Sequence, residues 1–175
     1  MNTLPTVGRW DVDVASTVAS FEVANFVVNR VPGSITVRSG TVLTDERGRP
    51  THVSAVLDAG SIATGNARRD KDLRSQKFLD VANSPEIRFS GTSVTPTDDG
   101  GWTVEGTLSV GTHGSPMRLD VELQRSSRPD TVSVVARGSV DRVALGIKAP
   151  SFVIGRQVQI SVAAVLSPAP ARVDV

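Results

Sequence analysis

The chain has no cysteine and no tyrosine, and only two histidines, two tryptophans and two methionines among 175 residues. Without cysteine there are neither disulfides nor thiolate metal sites, a composition that fits a reducing compartment. The missing tyrosines and a total aromatic content of 4% leave no stacking platform for single-stranded nucleic acid, so no nucleic-acid partner is expected. Charge of one sign is lacking too. Nineteen basic side chains stand against 18 acidic ones, for a net +1, so no strong field draws in a polyanion or an anionic bilayer. No apolar run reaches the roughly 18 to 20 residues of a membrane span. Met1-Asn2-Thr3-Leu4-Pro5 has neither the basic start nor the apolar stretch of a secretory signal, and a cytoplasmic location is the expectation.

Groups that do chemistry are as scarce. His52 falls on the outer face at a strand start and His113 in a Gly-rich turn, so both read as solvated rather than as a base beside a nucleophile. No grouping of His and carboxylates has metal-ligand spacing. Asp98-Asp99-Gly100-Gly101 lacks the spaced oxygen ligands of a calcium loop and reads as a hairpin turn. Gly60 and Gly65 match no phosphate-binding fingerprint. The mixed-sign run Arg68-Arg69-Asp70-Lys71-Asp72 reads first as a solvated helix face, with a weak phosphate or partner contact as the alternative. The expectation is a protein without enzymatic activity, metal or cofactor.

What the sequence has in abundance is period two, the mark of half-buried strands. Phe21 and Val23, with Asn25 after them, share one parity; so do Ile35 and Val37, and Val53, Ala55 and Leu57, although Val56 breaks the alternation. Ile87 and Phe89 oppose Glu86 and Arg88, and Trp102, Val104, Gly106, Leu108 and Val110 alternate cleanly with polar neighbours. Met117 to Leu123, Val132 to Val140 and Val158 to Val162 repeat the pattern. Gly, Asp and Pro clusters at 45–50, 96–101, 111–116 and 126–130 supply tight reversals between them. About eight such segments predict a single all-β domain over 1–175, an antiparallel barrel with its core at about 10–166 and a flexible Pro/Ala tail at 167–175. One short helix is predicted from about Ala67 to Leu79, capped by Thr64 or Asn66, lying across a rim or flank of the barrel.

One segment is more specific. Thr64-Gly65-Asn66, Arg69-Asp70, Leu73-Arg74-Ser75, Phe78-Leu79-Asp80-Val81 and Pro85-Glu86-Ile87-Arg88-Phe89 follow one another in the order of the signature of the YceI-like family, which the chain resembles. Trp10, Asp13, Phe21 and Val23, then Gly33-Ser34-Ile35 and Gly40-Thr41-Val42, look like that family's opening hairpin, and Gly106 to Val110 and Asp141 to Ile147 like its later strands. The likeness runs from about Trp10 to Leu166. It implies a lipocalin-like barrel that binds an elongated apolar molecule, a polyisoprenoid or long-chain lipid, and it adds a homodimer to the expected partners. Two departures are visible: Ser16-Thr17 stands where the family usually carries His-Ser, and Asn25 where a second His would follow.

Small inward residues bear on the same question, since in an eight-stranded barrel they either fill the interior or leave a lumen for a ligand. On the second reading the chain would thread past Phe21, Val23, Leu57, Phe89, Leu108, Leu119 and Val134, with its polar end near Asn25, Asp70 and Arg142. On the first the barrel is a ligand-free structural or interaction module. Arg142 shares the parity of Val140 and would carry its charge inward, where it needs a partner: Asp70, Asp13 or a ligand head group. The alternative is an exposed Arg in a loop beyond the strand.

Overall fold

The computed structural model describes residues 3–5, 8–25, 29–147 and 154–170. Nine strands and one helix follow in the order β1 (Arg9–Val12), β2 (Val18–Asn25), β3 (Asn29–Thr44), β4 (Pro50–Ala63), α1 (Ala67–Arg74), β5 (Glu86–Pro96), β6 (Trp102–Val110), β7 (His113–Gln124), β8 (Val132–Asp141) and β9 (Ile154–Pro168). From β2 to β9 each strand pairs antiparallel with the next, and β9 returns to β2. Phe21 opposite Ile160 and Val23 opposite Val158 close the cylinder.

Eight strands thus make the barrel, as the periodicity predicted, and the ninth has a local cause. β1 pairs with both β3 and β9, the two neighbours of β2, so β1 and β2 are successive pieces of one lane. Arg9 faces Leu43 and Ala19 faces Ile35, so ten residue steps along this lane match only eight along β3. The surplus coils into a 3₁₀ turn at Val14–Ser16. Asp13 caps it, accepting from the Ala15 N–H at 3.2 Å, and is held from outside by Arg128 at 2.6 Å. A short polar side chain that bonds the backbone two residues on offers the chain an alternative to the ladder.

Inside, the alternating residues meet in two continuous clusters, one around Phe89, Leu108 and Val140 and one around Trp10, Trp102 and Leu166. Gly33 lies opposite Phe21, and a Cβ there would sit 2.1 Å from the ring tip. The missing side chain is what lets the ring fold over the neighbouring strand. Outside, charges pair across strands, as where Arg38 on β3 reaches Asp58 on β4 at 3.4 Å and Glu86 on β5 at 3.3 Å.

The helix is shorter than the sequence suggested, ending at Arg74 instead of Leu79. Ser75 turns its hydroxyl back onto the Asp72 carbonyl at 2.5 Å and adopts an extended conformation, and the chain then runs through turns to β5. Of the two predicted caps, Asn66 serves, accepting from the Arg69 N–H at 3.0 Å. The last strand is longer than expected: β9 continues to Pro168, opposite Trp10, and the Ala169 N–H bonds the Arg9 carbonyl. The expected tail therefore overlaps the sheet by two residues, and 171–175 lie outside the described residues.

Two of the ion-paired carboxylates make a test. Arg128 and the Ser16 hydroxyl hold Asp13 below the usual carboxylate range, and Arg156, with the Val143 N–H, does the same to Asp141. Each binds a proton less readily folded than unfolded, so its stabilisation is complete above the unfolded pKa of about 4 and is lost as the pH falls through the lowered value. Denaturant midpoints measured downward from about pH 6 should drop more shallowly below about pH 4 for Asp13→Asn and Asp141→Asn than for the parent. An unchanged slope in both variants contradicts the assignment.

Candidate functional site

The hairpin pattern sorts the loops to two ends. One end carries α1 with its following turns, the β6–β7 turn and the corner after β8; the other carries the β3–β4, β5–β6 and β7–β8 turns. Between them the interior is hollow. A chamber of about 170 Å³ lies toward the α1 end and a second of about 140 Å³ toward the other. Leu57, Leu108 and Ile160 line both and so form the waist between them. A cavity of about 150 Å³ takes a benzene ring, so two in line suit a narrow chain better than a broad polycycle.

The residues named from the sequence distribute along this path. Phe21 and Val23 line the upper chamber, Leu57 and Leu108 the waist, and Phe89, Leu119 and Val134 the lower chamber. Asn25 closes β2, but its side chain lies outside the described residues. Trp102 at the start of β6 and Val94 of β5 also line the lower chamber. The sequence reading passed over Ile62, Leu79, Leu145 and Ile147, which roof the upper one. They sit in the strand end, turn and corner around the mouth, where neither period two nor period 3.6 applies. Leu79, Leu145 and Ile147 do fall within the stretches that resemble the family.

The two chambers differ in charge. The lower one has no charged lining residue; the upper one has Arg69 and Arg142 and no carboxylate. Arg142 follows β8 directly and is 3% exposed. The sequence pointed to a carboxylate or a head group as its partner, and among the described residues two backbone carbonyls receive it. Its Nε donates to the Gly155 carbonyl at 2.8 Å and a terminal nitrogen to the Ile147 carbonyl at 2.9 Å, while Asp13 lies with Arg128. Burial pushes the Arg142 pKa down, Asp141 opposes the shift and Arg156 adds to it. A guanidinium still holds its proton under such a shift, so a positive charge sits beside an apolar chamber.

Asp70 is buried as well, but it does not line the chamber. Its carboxylate accepts from the Thr64 N–H at 2.9 Å and the Thr64 hydroxyl at 2.5 Å. That hydroxyl in turn accepts from Arg69 Nε at 2.8 Å, and a terminal Arg69 nitrogen donates to the Thr64 carbonyl at 3.0 Å. The relay aims Arg69 while leaving its other terminal nitrogen unengaged; among the described residues Arg69 forms no salt bridge. The helical Arg-Asp pair is therefore divided in labour, Asp70 holding Thr64 and Arg69 lining the chamber.

Among the described residues neither histidine lines the chambers. His52 is exposed, with only the Thr51 hydroxyl within 3.1 Å, and the exposed His113 packs its ring against Gly146. Among the described residues no three His or carboxylate side chains are placed to share a metal ion, and no helix is long and apolar enough to cross a membrane.

Comparison with known proteins identifies the family. The model of the YceI-like domain matches residues 10–166, and the chain belongs to that family. A UPF0312 protein of Pectobacterium atrosepticum is 28% identical over 66% of this chain and 60% of its own length, and one of Yersinia enterocolitica is 34% identical over 52% and 47%. The chain thus spans between about a third and three fifths of the length of the curated relatives it matches. Among solved structures, Burkholderia cenocepacia BcnA superposes with a TM-score of 0.75 at 16% identity, covering 88% of this chain and 98% of BcnA. A polyisoprenoid-binding domain of Saccharophagus degradans gives 0.71 at 14%, covering 92% and 98%. At such identities the likeness is one of fold.

A bulky side chain in the lower chamber should block it. Leu119→Trp and Val134→Phe fill space that is empty, so they should leave Tm within a few degrees while lowering long-chain fatty acid affinity at least about tenfold, the equivalent of two buried methylenes. Titration against a folded variant checks this, and unchanged affinity rules the lower chamber out of the path.

Proposed function

We propose that this member of the YceI-like family holds one elongated apolar molecule, a polyisoprenoid or long-chain lipid with an anionic end, and carries it without altering it. The observation that supports the reading is the polarity of the hollow: two guanidiniums and no carboxylate at one end, hydrocarbon walls throughout the other. Arg69 lines the chamber and forms no salt bridge among the described residues, and a phosphate or carboxylate head would give it a charge-assisted partner. The walls then take the chain, each Å² of apolar surface removed from water adding roughly 25 cal/mol before the losses of association. That the structurally similar Saccharophagus domain is named for polyisoprenoid binding supports the same ligand class. A cytoplasmic place of action and a homodimeric state belong to the proposal, the former supported by the cysteine-free composition.

Native mass spectrometry after mild purification, followed by challenge with a long-chain fatty acid and the alcohol of equal length, tests the reading. The acid should bind the more tightly. Arg69→Ala should weaken the acid by about 10- to 100-fold, the worth of a charge-assisted hydrogen bond, and leave the alcohol nearly unaffected. A bare protein mass after both challenges overturns carriage and favours a ligand-free barrel. Equal losses for acid and alcohol overturn the anionic head alone.

A further inference from the structure

The lower chamber ends against a residue that the shared domain does not include. Leu4 precedes the stretch matched to the family, yet it is 5% exposed, belongs to the cluster of Trp10, Trp102 and Leu166, and lines the chamber. It is held by its own backbone: its N–H donates to the Gly48 carbonyl at 2.8 Å. Gly48 has φ +77°, and a Cβ there would stand 2.7 Å from the Leu4 carbonyl oxygen. The β3–β4 turn is thus shaped to receive this residue.

We propose that Leu4 is a specificity-determining residue, the floor that sets the length of chain the barrel accepts. The inference rests on the carriage reading above, with the polar end of the ligand kept at the Arg69 and Arg142 end. A chain entering there passes the waist and meets Leu4 beside Trp102. Val158 lines the upper chamber and Leu166, on the same strand, the lower. Eight strand steps at about 3.3 Å, tilted 35–45° to the barrel axis, put the usable depth at about 20 Å. Carbons beyond that depth have no apolar wall left to cover them. A pendant side chain on a segment outside the barrel ladder is also the simplest place to change a length limit, since altering it disturbs no strand pairing.

The test is the affinity of the full chain for a graded series of straight-chain fatty acids, with fold monitored by circular dichroism. Affinity should climb about fourfold per methylene to a break and then level or fall. Leu4→Ala should move the break to longer acids, and Leu4→Phe, which opens no cavity and so guards against a folding defect in the first variant, should move it to shorter ones. A break at the parent length in both folded variants overturns the proposal, as does a parent series without a break. If no acid of any length binds the parent, carriage itself fails, and that result is distinct from length-blind binding, which overturns the floor alone.

Discussion

Closing eight strands on themselves sets a circumference, and with it an interior that side chains can only just fill. Whether such a barrel is solid or hollow is then decided by the size of its inward residues. Here most of them are Val, Ala, Leu, Ile and Gly; Phe21 lies over Gly33, and the two tryptophans sit toward one end. The volume left over is the two chambers, and their apolar walls follow from the same alternation that makes the strands. Fold and apolar hollow are therefore one property of the pattern.

Much of this was legible in the sequence because strand periodicity and turn chemistry agree with one another. Trp102 to Val110 is a strand and its inward residues include Val104 and Leu108, the latter at the waist; nothing beyond alternation was needed to say so. Phe21 and Val23, Leu119 and Val134 fall on the lumen for the same reason. The family signature and the Arg142 corner meet at one end of the barrel, where Arg69 and Arg142 line the upper chamber and Asp70 does not.

The parts that escaped are those where a tertiary contact decides between local alternatives. Period two says nothing about a lane with two surplus residues, so the separate β1 and the 3₁₀ turn behind Asp13 went unseen. Parity carried past the end of β8 did turn Arg142 inward, but carbonyls of Gly155 and Ile147 receive it, and backbone acceptors leave no mark in a sequence. Asp70 and Arg69 are adjacent, and only the placement of Thr64 decides which of them meets the lumen. Leu4 lies outside the periodic segments, and its burial follows from the turn around Gly48 and the tryptophan cluster it joins.

The circular ladder has a further consequence at the surface. Each of the eight cylinder strands is flanked on both sides, and β1 fills the remaining stretch of its lane between β3 and β9. Where both neighbours pair, no amides are left for a foreign strand to extend; among the described residues, stretches such as His113–Arg118 of β7, paired with β6 alone, and Asn29–Gly33 of β3, paired with β2 alone, stay open on one side. Wherever the ladder is closed on both sides, association of this protein with itself or another has to be written in side chains and loops, which guards most of the cylinder against polymerising through its backbone.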